Sequence, residues 1–271
     1  MLKHPAWNLG GWVVVEHGGG HLEADHIDAA IAADLHRLGL LPQPTAEAPP
    51  LPLLVFASRH RAESGAPSLT THPIGNLSGA AQFGGLPRTV CPTAPAAMSA
   101  VLRHLKRSNA EHGLGWPVTF EGTHHGPFVR SPTFFVEVGS GPAQWELPQP
   151  ATVVAEALLR LTSERPVQRP VVLGFGGGHY VPRLGDLVLD GVADVGHLVP
   201  SYALDDLEPS ILRALCDATP GVVGAYLHRK AIPAATRERL ERMLGQAHVP
   251  VVRTADLHGS ATAAAVFPTT L

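Results

Sequence analysis

The residues best suited to catalysis lie close together between positions 121 and 146. Two adjacent imidazoles, His124 and His125, follow an apolar run that ends in Glu121, and a second carboxylate, Glu137, lies inside another apolar run. An ionised carboxylate in apolar surroundings needs a partner that offsets its desolvation. Imidazoles and metal ions are the nearest candidates, so the combination predicts a site for acid–base or metal chemistry.

Two predicted strands position these side chains. Residues 117–121 form a short strand that leads into the loop with both histidines, and residues 133–139 form the next strand. Because side chains alternate along a strand, Phe134 lies on one face of the second strand while Phe135 and Glu137 lie on the other. Glu137 is therefore expected to project from an otherwise apolar strand, which favours a functional role for it.

The histidine pair and Glu121 each have two interpretations. The two histidines act as a metal ligand and a general acid or base, or else one of them is a hydrogen-bonded core residue. Glu121 either ligates a metal or activates water, or it ends its strand in solvent. At least one of the two imidazoles is expected to function.

A glycine-rich turn is the second candidate for substrate contact. Gly176, Gly177 and Gly178 follow an apolar run, and His179 and Tyr180 come directly after them. Glycines let backbone amides approach an anion closely, as in phosphate-binding turns. The turn lacks the lysine and hydroxyl residue of a P-loop and the spacing of a dinucleotide fingerprint. It is therefore expected to contact substrate together with the two residues that follow it.

A third group of polar residues follows the apolar run at 53–58. Open α/β sheets gather ligands at the carboxyl ends of their strands, so Arg59 and His60 are predicted to contact substrate. The GxSxG elbow of a serine nucleophile is absent, and Ser58 is therefore interpreted as a capping or turn residue. Residues 64–76, rich in Ser, Gly and Pro, are predicted to form a long loop of the kind that often carries function.

Composition limits the class of protein. The chain has 271 residues, of which 45% are hydrophobic and 16% charged, and a formal net charge of −3, all ordinary for a globular protein. This charge indicates no global basic field for a nucleic acid and leaves a local basic patch as the alternative. Sixteen histidines are unusual, and we expect a quarter of them at most to be functional. His72, Asn76 and His197 are interpreted as loop residues that could equally lie on the surface.

The sequence predicts neither a membrane protein nor a secreted one. No run approaches the ~20 apolar residues of a membrane span, and the first residues lack the basic-then-apolar layout of a signal peptide. Cys91 and Cys216 are far apart and form no CxxC motif, which argues against a disulfide scaffold and a thiolate zinc site. We therefore expect a reducing, cytoplasmic location.

Strands alternate with helices along the chain, which predicts an α/β protein. The expected architecture has three layers, α/β/α, around a mostly parallel mixed sheet. Strands are predicted at 12–15, 53–58, 117–121, 133–139, 170–175, 222–227 and 249–253, and helices at 27–38, 95–107, 151–161, 233–244 and around Ile211. Residues 1–52 are predicted to be a divergent N-terminal segment with a proline-rich connector, residues 53–255 the catalytic domain, and residues 256–271 a flexible tail.

Several motifs, taken in order, resemble those of one protein family. They are SRHRAESGAPSLTTHPIGN, EGTHHGP, PTFFVEVGS followed by Trp145, GFGGGHYVPR, GHLVPSYALD and RKA. Together they resemble the archaeal-and-plant-type D-aminoacyl-tRNA deacylases from about Leu53 to Arg253. The resemblance implies hydrolysis of the ester that joins a D-amino acid to the terminal adenosine of a tRNA. It also implies a phosphorylase/hydrolase-like fold and zinc as the metal.

The resemblance and the residue chemistry together give a set of site residues. Those predicted to line the reaction centre and to hold the zinc are His124, His125, Glu137 and His179. Those predicted to contact substrate are Arg59, His60, Tyr180 and the amides of Gly176, Gly177 and Gly178, which would bind a terminal phosphate or the oxyanion. A zinc ion in this place would lower the pKa of its bound water and stabilise the oxyanion.

The sequence departs from the family pattern in two places. Residues 1–52 are divergent, and Arg61 and Ala62 stand where small polar residues are more usual. The edge of the sheet and the local substrate contacts are therefore expected to differ. The expected partner is D-aminoacyl-tRNA as substrate, with no membrane and no stable protein partner, for a monomer or small homo-oligomer.

Two other functions fit the same residues. A metal-dependent amidase or peptidase-like hydrolase would cleave peptides or acyl amides without any requirement for tRNA. A non-catalytic nucleotide-binding module would use the glycine turn and Tyr180, and its ligand binding would survive His124→Ala or Glu137→Ala.

Overall fold

The strands form two four-stranded sheets and two short antiparallel pairs. The structure is a computed structural model and describes residues 6–9, 11–42, 45, 48–164 and 167–257. Within these ranges the strands are β1 Ala6–Leu9, β2 Trp12–Val15, β3 Leu54–Arg59, β4 Ser68–His72, β5 Gly75–Asn76, β6 Thr89–Val90, β7 Val118–Phe120, β8 Thr133–Gly139, β9 Val171–Phe175, β10 Asp194–Val199, β11 Val222–Leu227 and β12 Val251–Val252.

The first four-stranded sheet is mixed and has the strand order β3-β8-β4-β7. β3 runs parallel to β8, β4 runs antiparallel to β8, and β7 runs parallel to β4. Phe134 packs into the apolar core on one face of β8, while its neighbour Phe135 packs in a separate cluster on the other face. The alternation predicted for this strand is confirmed.

The second four-stranded sheet is entirely parallel, with the order β10-β9-β11-β12. Alternate residues of β9 point to two different apolar clusters, Val172 to one and Leu173 and Phe175 to the other. A parallel sheet of this kind needs apolar cover on both faces. The cover comes from helices on either side, which confirms the predicted three-layer α/β class.

The helices of the described chain are α1 Ile27–Arg37, α2 Pro95–Glu111, α3 Pro142–Trp145, α4 Pro148–Ser163, α5 Pro182–Leu189, α6 Pro209–Asp217, α7 Ala234–Gln246 and α8 Thr254–Leu257. Helices α2 to α6 all begin at a proline, whose missing N–H and fixed φ suit the first helical position. Residues of α2, α4 and α5 share one core with both sheets, and α6 and α7 cover the far face of the parallel sheet. None of these helices is long and apolar enough to cross a membrane.

The structure corrects the prediction of a loop at residues 64–76. Ser68–His72 form β4, and all five residues are buried. The polar run Ser-Leu-Thr-Thr-His does not show apolar alternation, so the pattern that predicts a strand is absent. Some of its polar groups find partners inside the protein instead, as where Thr71 Oγ1 donates a hydrogen bond of 2.6 Å to the Phe135 carbonyl.

The N-terminal segment packs against the mixed sheet and the chain leading into it. Helix α1 contributes Ala32 and Leu35 to a small apolar cluster with Leu51. The buried carboxylate of Asp28 accepts hydrogen bonds of 2.9 Å from the amides of Arg130 and Ser131 and from the Ser131 hydroxyl. Part of the predicted tail, residues 258–271, lies outside the described residues.

Candidate active site

Five imidazoles and two carboxylates meet where the mixed sheet faces the turn after β9. His60 follows β3, His72 ends β4, Glu121 follows β7, Glu137 lies within β8, and the remaining imidazoles come from the loop after β7 and the turn after β9. The imidazoles are His60, His72, His124, His125 and His179, with adjacent ring centroids 4.2 to 5.4 Å apart. Strand ends and one strand interior thus converge on one polar cluster.

Glu137 lies near the middle of β8, on the face of the strand that carries the cluster. Its strand neighbours are Ser58 in β3 and Thr70 in β4. Oε2 of Glu137 lies 3.6 Å from Nδ1 of His60 and 3.6 Å from Nε2 of His72. Burial alone would raise the pKa of this carboxyl, but the hydrogen bonds and charges of these imidazoles outweigh it and hold the pKa well below its usual range.

Glu121 is fully buried, so the alternative that it ends its strand in solvent is wrong. Oε2 of Glu121 lies 3.0 Å from Nε2 of His179 and 3.5 Å from Nε2 of His124, while Oε1 lies 3.2 Å from Nδ1 of His60. Burial raises the pKa of Glu121, but the contact with His179 and the charges of His72 and His60 lower it below its usual value. Two ionised carboxylates therefore stand close together, balanced by imidazoles.

His72 and His197 are fully buried, and the alternative of surface placement is wrong for both. The ring of His72 is stacked on Phe135 with centroids 5.1 Å apart and an interplanar angle of 3°. His197 lies behind the cluster, with Nδ1 3.1 Å from Thr123 Oγ1 and Nε2 3.0 Å from the Cys91 carbonyl. His72 is thus a site residue that sequence reasoning missed, because its strand has no apolar alternation to mark it.

Three of the imidazoles are oriented by backbone carbonyls. Nδ1 of His72 lies 3.1 Å from the Pro73 carbonyl, and the Nδ1 atoms of His124 and His125 lie 2.8 and 2.6 Å from carbonyls of their own loop. Burial and the charge of His72 lower the pKa of His124 well below its usual value and that of His125 to about 4. A neutral ring that donates its Nδ1 proton to a carbonyl presents Nε2 as a lone pair, which is how metal-binding histidines are oriented.

The described residues include three groups whose ligand atoms lie close enough to hold a metal ion. These groups are His72, His124 and His125; His60, Glu121 and His179; and His72, Glu121 and Glu137. The four predicted ligands are divided among them. Nε2 of His72 and both carboxylate oxygens of Glu121 are buried without an aligned hydrogen bond, and such orphaned donors and acceptors fit a cation-binding role.

The predicted substrate contacts divide into two sets. Tyr180 and His60 belong to the cluster, because the Tyr180 hydroxyl lies 3.0 Å from Nε2 of His60. Arg59 is not among the cluster's ion pairs, and its guanidinium lies over the ring of Trp145 at 5.1 Å, with that of Arg61 at 6.0 Å. The Trp145 indole N–H is in turn held by the carbonyls of His60 and Val138 at 3.2 and 3.0 Å.

The glycine turn after β9 has most of its amides engaged within the protein. The N–H of Gly176 donates to the Val199 carbonyl at 2.8 Å, and the N–H of Gly177 donates to Ser201 Oγ at 3.1 Å. Both residues have positive φ, +100° and +104°, where glycine is favoured. Among the residues that the structure describes, only the Gly178 amide of this turn is left without a protein partner.

The comparisons with known proteins point to one family. A sequence model described as D-aminoacyl-tRNA deacylase matches residues 48–252. A D-aminoacyl-tRNA deacylase of Methanosarcina acetivorans is 35% identical over 209 residues, which cover 77% of this chain and 69% of the relative. One of Thermoplasma acidophilum is 32% identical over 189 residues, covering 70% of this chain and 72% of the relative.

The fold has a counterpart among solved structures. A crystal structure of a conserved protein of unknown function matches with a TM-score of 0.77 and 25% sequence identity, covering 96% of this chain and 89% of that one. The family match spans the elements that position every imidazole and carboxylate of the cluster. On these grounds the chain belongs to the D-aminoacyl-tRNA deacylase family.

Proposed function

We propose that the protein hydrolyses the ester between a D-amino acid and the terminal adenosine of a tRNA. Family membership supports this function, and one observation carries its chemistry. The His179 side chain is 39% exposed, while its Nε2 atom lies 3.0 Å from the fully buried carboxylate of Glu121. An imidazole oriented by a buried carboxylate and open to solvent is suited to take a proton from water beside a bound ester.

In the proposed reaction, His179 acts as the general base and Glu121 as the residue that orients it. His179 accepts a proton from a water molecule while the water oxygen attacks the ester carbonyl carbon. The tetrahedral oxyanion then collapses, the bond to the ribose oxygen breaks, and that oxygen takes the proton from His179. Gly178, next in sequence to the base, is assigned as a donor to the oxyanion, because its N–H has no partner among the described residues.

We also propose a metal site next to this base. His72, His124 and His125 would hold a zinc ion, because one ring nitrogen of each lies within 4.8 Å of the others and the Nδ1 atoms face backbone carbonyls, which leaves Nε2 as the atom for the metal. Zinc, when bound, would supply Lewis-acid activation of water and of the ester carbonyl. Glu137, close to His72 and His60, would balance the positive charge of this region.

Stereospecificity is proposed to arise from the rigidity of the pocket. The ring of His72 is held between Phe135 and His124, with centroids 5.1 and 4.2 Å away. Rings packed in this way have little freedom to move aside for a side chain of the wrong hand. His60 and Tyr180 would contact the substrate at the opposite side of the cluster.

The test is incubation of the purified protein with D-tyrosyl-tRNA and L-tyrosyl-tRNA, each with and without a chelator. Release of D-tyrosine alone is expected, with loss of activity in chelator. His179→Ala should lower the rate by about 10²-fold or more. His112→Ala is the matched control, because His112 forms a surface ion pair with Glu156 at 2.9 Å. Equal release of both enantiomers would reject the stereospecific function, and peptide cleavage without tRNA would favour an amidase.

A further inference from the structure

A cleft lined by basic side chains lies at the carboxyl edge of the parallel sheet. It has a volume of about 690 Å³, and its lining includes Arg183, His228, Arg229, Lys230 and Arg253. No carboxylate belongs to the lining in the described part of the chain. A concave surface lined by positive charges focuses the electric field and attracts anionic ligands.

The topology of the sheet explains why these residues meet. His228, Arg229 and Lys230 come directly after β11, and Arg253 comes directly after β12. Arg183 lies in the first turn of α5, which follows the glycine turn after β9. The three strands are parallel neighbours, so the residues that follow them gather at one edge, where open α/β sheets bind ligands.

Most of the charge in the cleft is uncompensated. Arg229 is paired with Glu241 at 2.9 Å. Within the described ranges, no carboxylate pairs with the side chains of Arg183, Lys230 or Arg253; Arg183 instead donates to the Tyr226 hydroxyl at 3.3 Å. Asp256, the nearest acid in sequence, accepts a hydrogen bond from the Arg253 backbone amide. These three exposed cations are therefore available to bind an external anion.

The basic surface of helix α2 is different. Arg103 is held by Asp194 at 3.1 Å, and Arg107 is held by Glu111 and Glu164 at 3.0 and 3.1 Å. Cations with such partners gain little from an external phosphate, because the existing pair must first be broken. Charge alone does not distinguish the two surfaces; the cleft differs because it is concave and gathers several cations without carboxylate partners in the described part of the chain.

A short stretch of chain connects the cleft with the candidate active site. His179 belongs to the site, and Arg183, four residues further along, lines the cleft. Four residues span at most about 14 Å of extended chain. On the other side of the turn, the His228 amide donates to the Phe175 carbonyl at 2.8 Å, which fixes the floor of the cleft beside the glycine turn.

We propose that this cleft binds the sugar–phosphate backbone of the RNA strand that carries the ester, a few nucleotides before its terminal adenosine. The inference rests on the proposed function and adds the place where the RNA is held. Arg183, Lys230 and Arg253 contact phosphate oxygens, and they position the strand so that the ester lies at His179. Phosphate contacts of this kind fix register and orientation without reading base sequence.

The experiment compares two triple variants with the same change of charge. Arg183→Gln/Lys230→Gln/Arg253→Gln empties the cleft of its unpaired cations. Lys106→Gln/Arg237→Gln/Arg242→Gln removes two arginines and one lysine from helices α2 and α7. Affinity for uncharged tRNA is measured from about 50 to 200 mM salt, and hydrolysis of D-tyrosyl-adenosine, which lacks phosphates, is measured in parallel.

The cleft variant is expected to bind tRNA about 10- to 100-fold more weakly, with a salt slope reduced by about 2, since each single-strand phosphate contributes about 0.7. The helix variant should change affinity less than about threefold. Both variants should hydrolyse D-tyrosyl-adenosine like the wild type.

Two outcomes overturn the inference. One is unchanged tRNA binding by the cleft variant, or an equal loss in both variants. The other is loss of D-tyrosyl-adenosine hydrolysis in the cleft variant, which would mean that the substitutions damaged the reaction centre. Failure of the wild type to hydrolyse any D-tyrosyl ester would reject the proposed function instead, and cleft-dependent tRNA binding would still support the RNA site.

Discussion

The two four-stranded sheets contribute to the candidate active site in different ways. The mixed sheet uses one of its faces, from which Glu137 and His72 project. The parallel sheet uses only its carboxyl edge, where the turn after β9 delivers His179 and Tyr180. Both sheets share one apolar core on the side away from the cluster.

The difference follows from how each sheet is covered. Both faces of the parallel sheet pack against apolar side chains, and no residue within its described strands belongs to the cluster. In the mixed sheet only one face is fully committed to the core, and β8 alternates between Phe134 in that core and Phe135 and Glu137 on the other face. The mixed sheet therefore supplies cluster residues from within its strands, whereas the parallel sheet supplies them only from the turn beyond β9.

The pKa values of two fully buried histidines also differ between the two sheets. In the mixed sheet, burial lowers the pKa of His72, but the hydrogen bond and charge of Glu137 outweigh it and raise the pKa above the usual value. In the parallel sheet, no carboxylate of the described residues shifts the pKa of His197, and burial lowers this pKa to about 3. Equal burial thus gives opposite shifts, and the presence of Glu137 and Glu121 beside His72 accounts for the difference.

The largest expected effect is on the functional face of the mixed sheet. Glu137→Gln keeps the shape of the side chain and removes the charge that balances His60 and His72. We expect kcat/KM for D-tyrosyl-tRNA to fall by about 10³-fold. Glu156→Gln, which breaks the surface pair with His112, is the matched control and should change the rate by less than about twofold. A similar loss of activity in both variants would contradict the assignment of a catalytic role to the face of β8 that carries Glu137.

The second-largest expected effect is a dependence of stability on pH, which comes from His197 in the parallel sheet. The folded pKa of His197, about 3, lies below the unfolded value of about 6.5. The unfolded chain therefore binds more protons between these values, and stability falls as the pH falls from about 6.5 towards 3. Between pH 7 and 5 this residue should account for about 2 kcal/mol of lost stability.

Urea denaturation at several pH values tests this contribution. The free energy of unfolding of His197→Asn should fall less steeply with decreasing pH than that of the wild type, by up to about 1.4 kcal/mol per pH unit. Parallel curves for the two proteins would show that His197 is not the group that couples folding to protons in this range.

The smallest expected effect is a difference in activity between substitutions on the two faces of β8. Phe134→Leu and Phe135→Leu each change a fully buried ring, and each should cost about 1 kcal/mol of stability. Only Phe135 touches the cluster, through its stacking on His72 and its edge contact with His125 at 5.0 Å. Phe135→Leu should therefore lower kcat/KM about tenfold, because a misplaced catalytic group loses rate steeply. Equal kinetics in both variants would remove the functional distinction between the faces.

The sequence predicts the parts of the molecule where local pattern and tertiary role agree. The strand at 133–139 has the bounds of β8, and the burial of Glu137 follows from its apolar neighbours. The strands at 12–15 and 222–227 are also confirmed with their predicted bounds. In each of these segments β-branched and aromatic residues dominate, so the strand forms for the same reason that it is recognised.

Other parts depend on partners far away in sequence and were not predictable. β4 is a polar strand that is stable only between β8 and β7, so His72 cannot be recognised before the pairing is known. Helix α5 and strand β10 were also missed. In β10, Gly196 interrupts the apolar pattern, and a side chain is excluded there because a Cβ atom would collide with Thr219. Such glycines record close packing across the fold, which a linear pattern does not display.

The hydrogen bond between Tyr180 and His60 joins residues 120 positions apart, and this separation has a consequence for biosynthesis. The segment between them must close into a loop before the two rings can meet, and contacts of such long range form late because of their entropic cost. A nascent chain that has not yet reached β9 lacks His179 and Tyr180 altogether. The candidate active site can therefore assemble only after the chain has been synthesised past Tyr180.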